Sequence, residues 1–313
     1  MNPIHIENVQ KAYGAVLALR GVSLDIGQGE LYGLIGPDGA GKTTLIRILV
    51  TLLRADAGRV MVNGKDVGRH VQYVRSSVGY MPQRFSLYRD LTVEENLRFF
   101  GDLFAVPRAV QLKRVERLYE FSKLAPFNKR RAGALSGGMK QKLALSCMLM
   151  HEPGVIVLDE PTYGVDPVSR SEFWEILRSL SGEGKSILVT TAYMDEAELC
   201  DRIGLIFEGE IMAQDEPAKL RGGYRYPLYV IKTEEVQRVY AALRREGECA
   251  QCALFGDGVH FTDEDGWGRE GIIAVLDRLR LPYGEVTRAE PDLEDVFLRL
   301  MHHRGGERVA GIQ

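Results

Sequence analysis

The stretch 36–44, which reads Gly-Pro-Asp-Gly-Ala-Gly-Lys-Thr-Thr, constrains this chain more than any other part of its sequence. It fits the pattern G-x-x-x-x-G-K-[ST], whose glycine-rich backbone surrounds a phosphate group. An apolar run at 31–35 precedes it, as a buried parallel strand would, and apolar residues follow it at helical spacing from Leu45 to Leu52. The sequence therefore predicts a strand, a phosphate-binding loop and a helix whose free N–H groups face an anion.

The residue types within this loop have distinct roles. The glycines allow close approach of the backbone, Lys42 brings a positive charge to the β- and γ-phosphates, and Thr43 offers a hydroxyl to Mg²⁺. A glycine-rich turn before an ordinary helix is the alternative, which the Gly-Lys-Thr sequence and the strand–helix context disfavour. The candidate phosphate-binding residues are Gly36, Asp38, Gly39, Ala40, Gly41, Lys42, Thr43 and Thr44.

Length and composition limit the classes of protein to consider. A chain of 313 residues with ordinary globular composition is long for one core, so we expect two domains. The net charge of −3, without a long basic run, argues against nucleic acid or an anionic lipid surface as the main partner. The sequence contains neither a long apolar span nor a signal-peptide pattern, which predicts a cytoplasmic protein unless a partner holds it elsewhere. Cys249 and Cys252 form a C-x-x-C pair, but without a second pair a zinc site is disfavoured.

Two adjacent carboxylates, Asp159 and Glu160, follow the most apolar strand of the chain, at 155–158. At the end of a buried strand such a pair is costly unless a cation or a proton-transfer task occupies it. Because side chains alternate along a strand, Asp159 can face the Mg²⁺ held by Thr43 while Glu160 faces a water. The alternative is that both carboxylates act as helix caps.

Two further motifs stay open at this stage. Gln83 follows a strand at 77–81 and either faces solvent or lies on the ligand side of the sheet. Ser136 opens a helix as an N-cap and is followed by Gly137 and Gly138. That turn is either a second anion-binding corner or only the start of a helix.

The remaining segments of the first part predict an antiparallel β patch and a helical block. Residues 4–26 predict a hairpin with Tyr13 on its loop, where the ring could stack on a flat base or cover the hairpin's end. Asn-Gly at 63–64 is a strong signal for a second hairpin. A capping box, Thr92-x-x-Glu95, opens the helical block.

In combination, these motifs resemble the ATP-binding cassette of ABC transporters over residues 1–220. The Leu-Ser-Gly-Gly turn separates that family from other phosphate-loop NTPases. The matching motifs are the phosphate loop at 36–44, Gln83, the turn at 135–138, the strand and carboxylates at 155–160, and Gly-Val-Asp at 164–166.

The resemblance implies a fold, a dimer and a set of roles. The fold is an α/β phosphate-loop NTPase cassette with an antiparallel β patch and a helical subdomain. ATP is implied to lie between the phosphate loop of one cassette and Ser136, Gly137 and Gly138 of a second one. The resemblance further implies that Tyr13 stacks on adenine, that Glu160 and Gln83 are catalytic, and that the Mg²⁺ ligands are Thr43, Gln83 and Asp159.

Two positions depart from the family pattern. Asp38 stands where the family usually has Asn, and Ala192 stands where it has a histidine that contacts the γ-phosphate. A methyl group cannot donate that hydrogen bond, whose loss costs on the order of 10²–10³ in rate while leaving ground-state binding largely alone. Our hypothesis is that this chain binds Mg-ATP well and hydrolyses it slowly.

After residue 223 the apolar runs become short and alternating, which predicts a second domain at 225–303. Its predicted order of elements, β–α–β–β–α–β, suggests a small α+β ferredoxin-like unit with a dimerisation or regulatory role, and small-ligand sensing stays open. The segment 291–298 resembles the closing segment of cassettes that serve drug-resistance exporters in bacteria. We expect a disordered tail at 304–313.

The leading interpretation is an ATPase subunit, peripheral on the inner face of the cell membrane, that powers a separate permease for export of a drug-like or other small substrate. The permease is expected to dock near residues 83–90, and the second cassette could be a like or an unlike chain. One alternative is a soluble cassette protein acting on ribosomes or DNA, although relatives of that kind usually carry two cassettes or a long coiled-coil insertion. The other is a non-hydrolysing partner in a heterodimer.

Overall fold

The computed structural model describes residues 2–83, 87–245, 252–256 and 258–310, with side chains as far as 302. It divides into two compact units, Met1–Glu216 and Pro217–Gln313. The boundary lies a few residues before the one that the sequence predicts, because a short helix at Pro217–Gly222 packs against the last helix of the second unit. Each unit has its own apolar core.

The first unit contains ten strands among the described residues. They are β1 (Ile4–Tyr13), β2 (Val16–Ile26), β3 (Leu31–Ile35), β4 (Ala57–Val62), β5 (Lys65–Asp66), β6 (Val78–Met81), β7 (Val155–Asp159), β8 (Ser186–Thr191), β9 (Arg202–Phe207) and β10 (Glu210–Asp215). Its α-helices are α1 (Lys42–Leu49), α2 (Val71–Ser77), α3 (Val93–Leu103), α4 (Arg108–Ser122), α5 (Gly137–Leu149), α6 (Pro167–Gly182) and α7 (Met194–Ala197).

The strands form two sheets. One is antiparallel with the order β2-β1-β4-β5, which is the predicted β patch with its two hairpins. The other has the order β10-β9-β3-β8-β7-β6 and is parallel from β9 to β6, while β10 pairs with β9 in the antiparallel sense. Every residue of β3, β7 and β8 is buried, as expected for continuous apolar runs in a parallel sheet. The α/β prediction is therefore confirmed.

Helices surround the six-stranded sheet and complete the core. The core joins buried aliphatic side chains of β1, β2, β4 and α1 to those of the central strands. Helices α3, α4 and α5 pack on one another and form the predicted helical block. The predicted capping box begins α3, since Thr92 accepts a hydrogen bond from Glu95 N and Glu95 accepts one from Thr92 N.

The second unit has the predicted β–α–β–β–α–β order, preceded by α8 (Pro217–Gly222) and followed by one long helix. Its strands form an antiparallel sheet with the order β12-β13-β11-β14. Its other elements are β11 (Leu228–Lys232), α9 (Val236–Arg245), β12 (Cys252–Phe255), β13 (Gly258–Thr262), α10 (Gly268–Arg278), β14 (Glu285–Ala289) and α11 (Leu293–Ala310). The ferredoxin-like assignment stays a prediction, and Cys249, Ala250 and Asp257 lie outside the described residues.

Helix α11 runs to Ala310 and so extends into the stretch 304–313, whose disorder stays a prediction. In the described part of the chain, no helix combines the length and the apolar character needed to cross a membrane.

Candidate active site

The phosphate loop runs from the end of β3 to the start of α1 and has the backbone that its glycines predict. A side chain at Gly36 would collide with the carbonyl oxygen of Ile206. Gly41 is the N-cap of α1 with φ +108°, and a Cβ there would lie 2.6 Å from the carbonyl oxygen of Ala18. Both positions therefore need glycine, and the N–H groups of the first turn of α1 stay available for an anion.

Lys42 lies buried in the middle of this loop. Its Nζ donates to the carbonyl oxygens of Gly36 at 2.6 Å and Pro37 at 3.1 Å, and it lies 3.1 Å from Oε1 of Glu160. The side chain is 4% exposed, so the loop carbonyls and the carboxylate replace water around the ammonium group. The sequence predicted Lys42 and Glu160 separately, and the fold brings them into one ion pair.

Asp159, the last residue of β7, lies between two hydroxyl groups. Thr43 Oγ1 donates to Asp159 Oδ1 at 3.1 Å, and Thr190 Oγ1 donates to the same oxygen at 2.9 Å. Burial raises the pKa of Asp159, although the two hydroxyl hydrogen bonds and the charge of Lys42 act in the opposite direction.

These residues fit a Mg²⁺ ion. A hydroxyl and a carboxylate are the hard oxygen donors that Mg²⁺ binds, and they lie beside the loop that would hold phosphate. Within the described residues, no group of three or more His, Cys, Asp or Glu side chains could hold a metal by itself. The pair formed by Thr43 and Asp159 would supply two oxygen ligands to such an ion.

Glu160 lies just past the end of β7 in the left-handed region of backbone conformation, with φ +48°. Its N–H donates to both Thr190 Oγ1 at 3.0 Å and Thr190 O at 3.1 Å, which fixes the turn. The alternation of side chains along a strand is therefore not what separates Glu160 from Asp159. The carboxylate reaches Lys42 because the backbone turns at Glu160.

Gln83 contacts Glu160 directly. Its Nε2 donates to Glu160 Oε2 at 2.8 Å, so both carboxylate oxygens of Glu160 have a partner in this structure. Gln83 follows β6 and therefore lies at the same carboxyl edge of the sheet as β7. Its role as a Mg²⁺ ligand stays a prediction.

The remaining site residues that the sequence predicts belong to the phosphate loop and to the first hairpin. Asp38 and Gly39 are exposed, Thr44 is half-buried, and Ala40 is buried, with its carbonyl oxygen accepting from Gly209 N at 3.0 Å. Tyr13 ends β1 and is 49% exposed, close in sequence to two more exposed apolar residues at the hairpin tip, Val16 and Leu17. Stacking of Tyr13 on a base stays a prediction.

The Ser136 corner begins α5 as predicted. Ser136 is the N-cap and accepts from Met139 N at 3.3 Å. Ser136 and Gly137 are exposed, whereas Gly138 is buried so tightly that a Cβ there would collide with Ser169. Among the described residues the contacts of this corner are with α5 itself and with the region of α6, not with the phosphate loop of the same chain. That Ser136 and Gly137 face the nucleotide of a second cassette stays a prediction.

Sequence reasoning missed the threonines at the end of β8. Thr190 contacts both Asp159 and Glu160, and Thr191 donates to Glu196 Oε2 at 2.5 Å. Two adjacent hydroxyl residues ending a buried apolar strand were the available signal. Ala192 follows them, exposed and with no polar atom on its side chain.

The chain is similar in sequence to several known proteins. A family model described as "ABC transporter" matches residues 19–163. The chain is 51% identical over 192 residues to the "Probable multidrug ABC transporter ATP-binding protein YbhF" of Escherichia coli (strain K12), covering 61% of this chain and only 33% of that protein. It is 38% identical over 314 residues to the "Daunorubicin resistance ATP-binding protein DrrA2" of Streptomyces coeruleorubidus, covering 96% of this chain and 95% of the relative.

A solved structure gives the same result for the fold. The dimeric structure of a post-hydrolysis state of the ATP-binding cassette MJ0796, bound to ADP and Pi, superposes with a TM-score of 0.62 at 26% sequence identity. The match covers 68% of this chain and 98% of that chain.

Proposed function

Because the chain belongs to the family of ABC transporter ATP-binding proteins, we propose that it hydrolyses Mg-ATP between two cassettes to drive a separate membrane permease. One observation supports this most strongly. Lys42, Thr43, Asp159, Glu160 and Gln83 come from three segments and meet at the carboxyl edge of one parallel sheet. Binding of a ligand at that edge is the general rule for open α/β sheets.

Each residue of the site has a task that follows from its surroundings. The loop N–H groups and Lys42 hold the β- and γ-phosphates. The phosphate oxygens would then replace the carbonyl oxygens and the carboxylate as partners of the Lys42 ammonium group. Mg²⁺, held by Thr43 and Asp159, would neutralise and orient phosphate oxygens. Glu160 accepts a proton from the attacking water, and Gln83 orients its carboxylate.

A second cassette completes the nucleotide site. The exposed Ser136 and Gly137, with the free N–H groups at the start of α5, suit the γ-phosphate held by another copy or by a related chain. Tyr13, exposed at the tip of the hairpin, suits adenine. The solved cassette MJ0796, which is dimeric and bound to ADP and Pi, supports the pairing of two cassettes.

Export is the direction of transport that we favour. Two of the relatives are named for multidrug transport and daunorubicin resistance, and the second one matches nearly the whole chain. The permease would contact the region 83–90, of which residues 84–86 lie outside the described part, and would hold this chain on the inner face of the cell membrane. The substrate would be drug-like or another small molecule.

Ala192 supports a second possibility, in which this chain binds ATP in a heterodimer without hydrolysing it. A methyl group at that position offers no hydrogen bond to phosphate or water. The intact pair of Glu160 and Gln83 favours slow hydrolysis over none, because a site without chemistry has little use for a buried carboxylate in that place.

The test combines purification from membranes with two variants. We expect a polytopic membrane protein to co-purify with the tagged chain from detergent extracts. Glu160→Gln should keep ATP affinity within about threefold, remove measurable phosphate release and accumulate an Mg-ATP-dependent dimer, because the base is absent. Lys42→Ala should lose ATP binding. Purification without a membrane partner, or hydrolysis by Glu160→Gln at the wild-type rate, would refute the proposal.

A further inference from the structure

A buried carboxylate outside the site described above, that of Glu196 on α7, joins two turns at the edge of the central sheet. Thr162 Oγ1 donates to Glu196 Oε1 at 2.6 Å, and Thr191 Oγ1 donates to Glu196 Oε2 at 2.5 Å. Thr162 is 2% exposed, and Thr191 and Glu196 are each 1% exposed. Water therefore does not compete for these two hydrogen bonds. Each carboxylate oxygen therefore holds one hydroxyl, and each hydroxyl belongs to a different turn.

The first turn is the one that includes Glu160. Tyr163 N donates to Glu160 O at 3.2 Å, which closes the turn, and Thr162 lies within it. Holding the Thr162 side chain therefore restrains the backbone that directs the Glu160 carboxylate toward Lys42 and Gln83. That backbone needs restraint, because Glu160 has a positive φ, which is unfavourable for a residue with a side chain.

The second turn includes position 192. Thr191 Oγ1 accepts from Tyr193 N at 3.0 Å while donating to Glu196, so the backbone around Ala192 is fixed from both sides. Thr191 O also accepts from Gly36 N at 3.3 Å, which connects the same turn to the start of the phosphate loop. The carboxylate of Glu196 is thus linked to both turns through short hydrogen bonds.

Among the residues that the structure describes, Arg170 is the one cation that pairs with the Glu196 carboxylate. Arg170 Nη1 lies 3.8 Å from Glu196 Oε1 and is shared with Asp195, whose Oδ2 lies 3.5 Å away. The hydroxyl bonds are therefore the main compensation for burying this carboxylate, and hydroxyl-to-carboxylate bonds are among the strong hydrogen bonds of proteins. A carboxylate that faced solvent would not need these two hydroxyl groups, because water would solvate its charge.

We propose that Glu196 is a positioning residue for ATP hydrolysis. It holds the turn of Glu160 and the turn of residue 192 in fixed positions relative to each other. This inference rests on the proposed function. Glu196 does not touch the residues that would contact the nucleotide, and it acts through Thr162 and Thr191. A misplacement of about 1 Å at reacting groups can cost 10²-fold in rate. Loss of the fixed position of these two turns should therefore lower kcat rather than the affinity for Mg-ATP.

The test compares Glu196→Gln with Asp195→Asn in the full chain. The amide of Gln keeps the shape but replaces one acceptor oxygen with a donor, so one threonine hydroxyl loses its acceptor. We expect kcat for ATP to fall about tenfold or more while KM and the dissociation constant of Mg-ATP stay within about threefold. Asp195→Asn removes a neighbouring exposed carboxylate that shares the same arginine, and kcat should stay within about twofold.

A second pair of variants separates positioning from stability. Thr162→Ser keeps the hydroxyl and should keep kcat, whereas Thr162→Val removes it and should reproduce the loss seen in Glu196→Gln. If Glu196→Gln does not fold, this pair decides by the same measurements. If the wild-type chain hydrolyses ATP and Thr162→Val or Glu196→Gln is equally active, the inference about Glu196 is wrong and the proposed function is unaffected. A wild-type chain that binds no ATP overturns the proposed function as well.

Discussion

At the scale of single residues, position 192 is where we expect one side chain to limit the rate of ATP hydrolysis. Ala192 follows Thr191 at the end of β8, on the edge of the sheet where Asp159 and Glu160 lie. Its side chain has room because the residue is exposed, and it contributes no hydrogen-bond donor. The backbone there is fixed by Thr191, so a longer residue would project from a defined point.

We predict that Ala192→His raises kcat for ATP at least about tenfold, with Mg-ATP affinity changed less than about threefold. A single donor aimed at developing charge is worth on the order of 10²–10³ in rate, and it acts on the transition state more than on the bound substrate. Phosphate release by the purified chain measures the change. Ala192→Leu is the matched control for size and should not raise kcat. Equal rates for wild type and Ala192→His would refute the idea that this site is slow for lack of a histidine.

At the scale of a single element, α3 shows how local sequence fixes where a helix begins. Thr92 and Glu95 exchange hydrogen bonds at its N-terminus, with Glu95 N to Thr92 Oγ1 at 3.2 Å and Thr92 N to Glu95 Oε2 at 2.7 Å. Two N–H groups that would otherwise lack partners are thereby satisfied. The helix then presents the buried Val93, Asn96, Leu97 and Gly101 to the helical block.

Thr92→Ala should lower the free energy of unfolding by about 1 kcal/mol, the usual cost of losing an N-cap side chain. Thr92→Ser keeps the accepting oxygen and should change the free energy by only a few tenths of a kcal/mol. Urea denaturation followed by circular dichroism measures both values. A Thr92→Ala chain as stable as Thr92→Ser would contradict the structural reason given for the start of α3.

The other half of the capping box should give this helix a pH dependence. The N–H of Thr92 donates to the Glu95 carboxylate and lowers its pKa below the ordinary value of 4.5. A lowered pKa in the folded state means that the stabilisation is present above about pH 4.5 and is lost as pH falls through the lowered pKa. The difference in stability between wild type and Glu95→Gln should therefore shrink on acidification. A difference that grows toward low pH would contradict the assignment.

For the whole molecule, the central question is whether two copies, or two related chains, close on ATP. Gly137 lies at the exposed start of α5, and a Cβ there would meet only Gly164 O at 3.9 Å, an ordinary contact. The isolated chain can therefore accept alanine at this position. A nucleotide held by a second cassette would approach the same backbone and would not accept it.

We predict that Gly137→Ala, introduced together with Glu160→Gln, weakens ATP-dependent dimerisation at least about tenfold without lowering the melting temperature of the monomer. Gly154→Ala is the matched control, since Gly154 is exposed and a Cβ there meets nothing within 4 Å. Analytical ultracentrifugation with and without Mg-ATP measures the dimer. Unchanged dimerisation of the Gly137→Ala chain would show that the Ser136 corner does not face the partner's nucleotide.

Much of the fold and part of the site could be predicted from local sequence. The strand, loop and helix around Lys42, the caps at Thr92 and Ser136, and the hairpins depend on neighbours within a few residues, so their patterns are visible in the chain. The predicted β–α–β–β–α–β order of the second unit follows from short alternating runs in the same way. The boundary between the units leaves little local signal, because it depends on the packing of α8 against α11.

The sequence by itself determined that this chain has a phosphate-binding loop and a carboxylate pair at the end of a buried strand. Only the tertiary structure decided how those parts meet: that Glu160 turns to Lys42 and Gln83, and that Glu196 holds Thr162 and Thr191. The physical reason is that the order of strands in the sheet, not their order in the chain, sets which carboxyl ends are neighbours. The positive φ of Glu160 then aims its side chain in a direction that strand alternation does not predict.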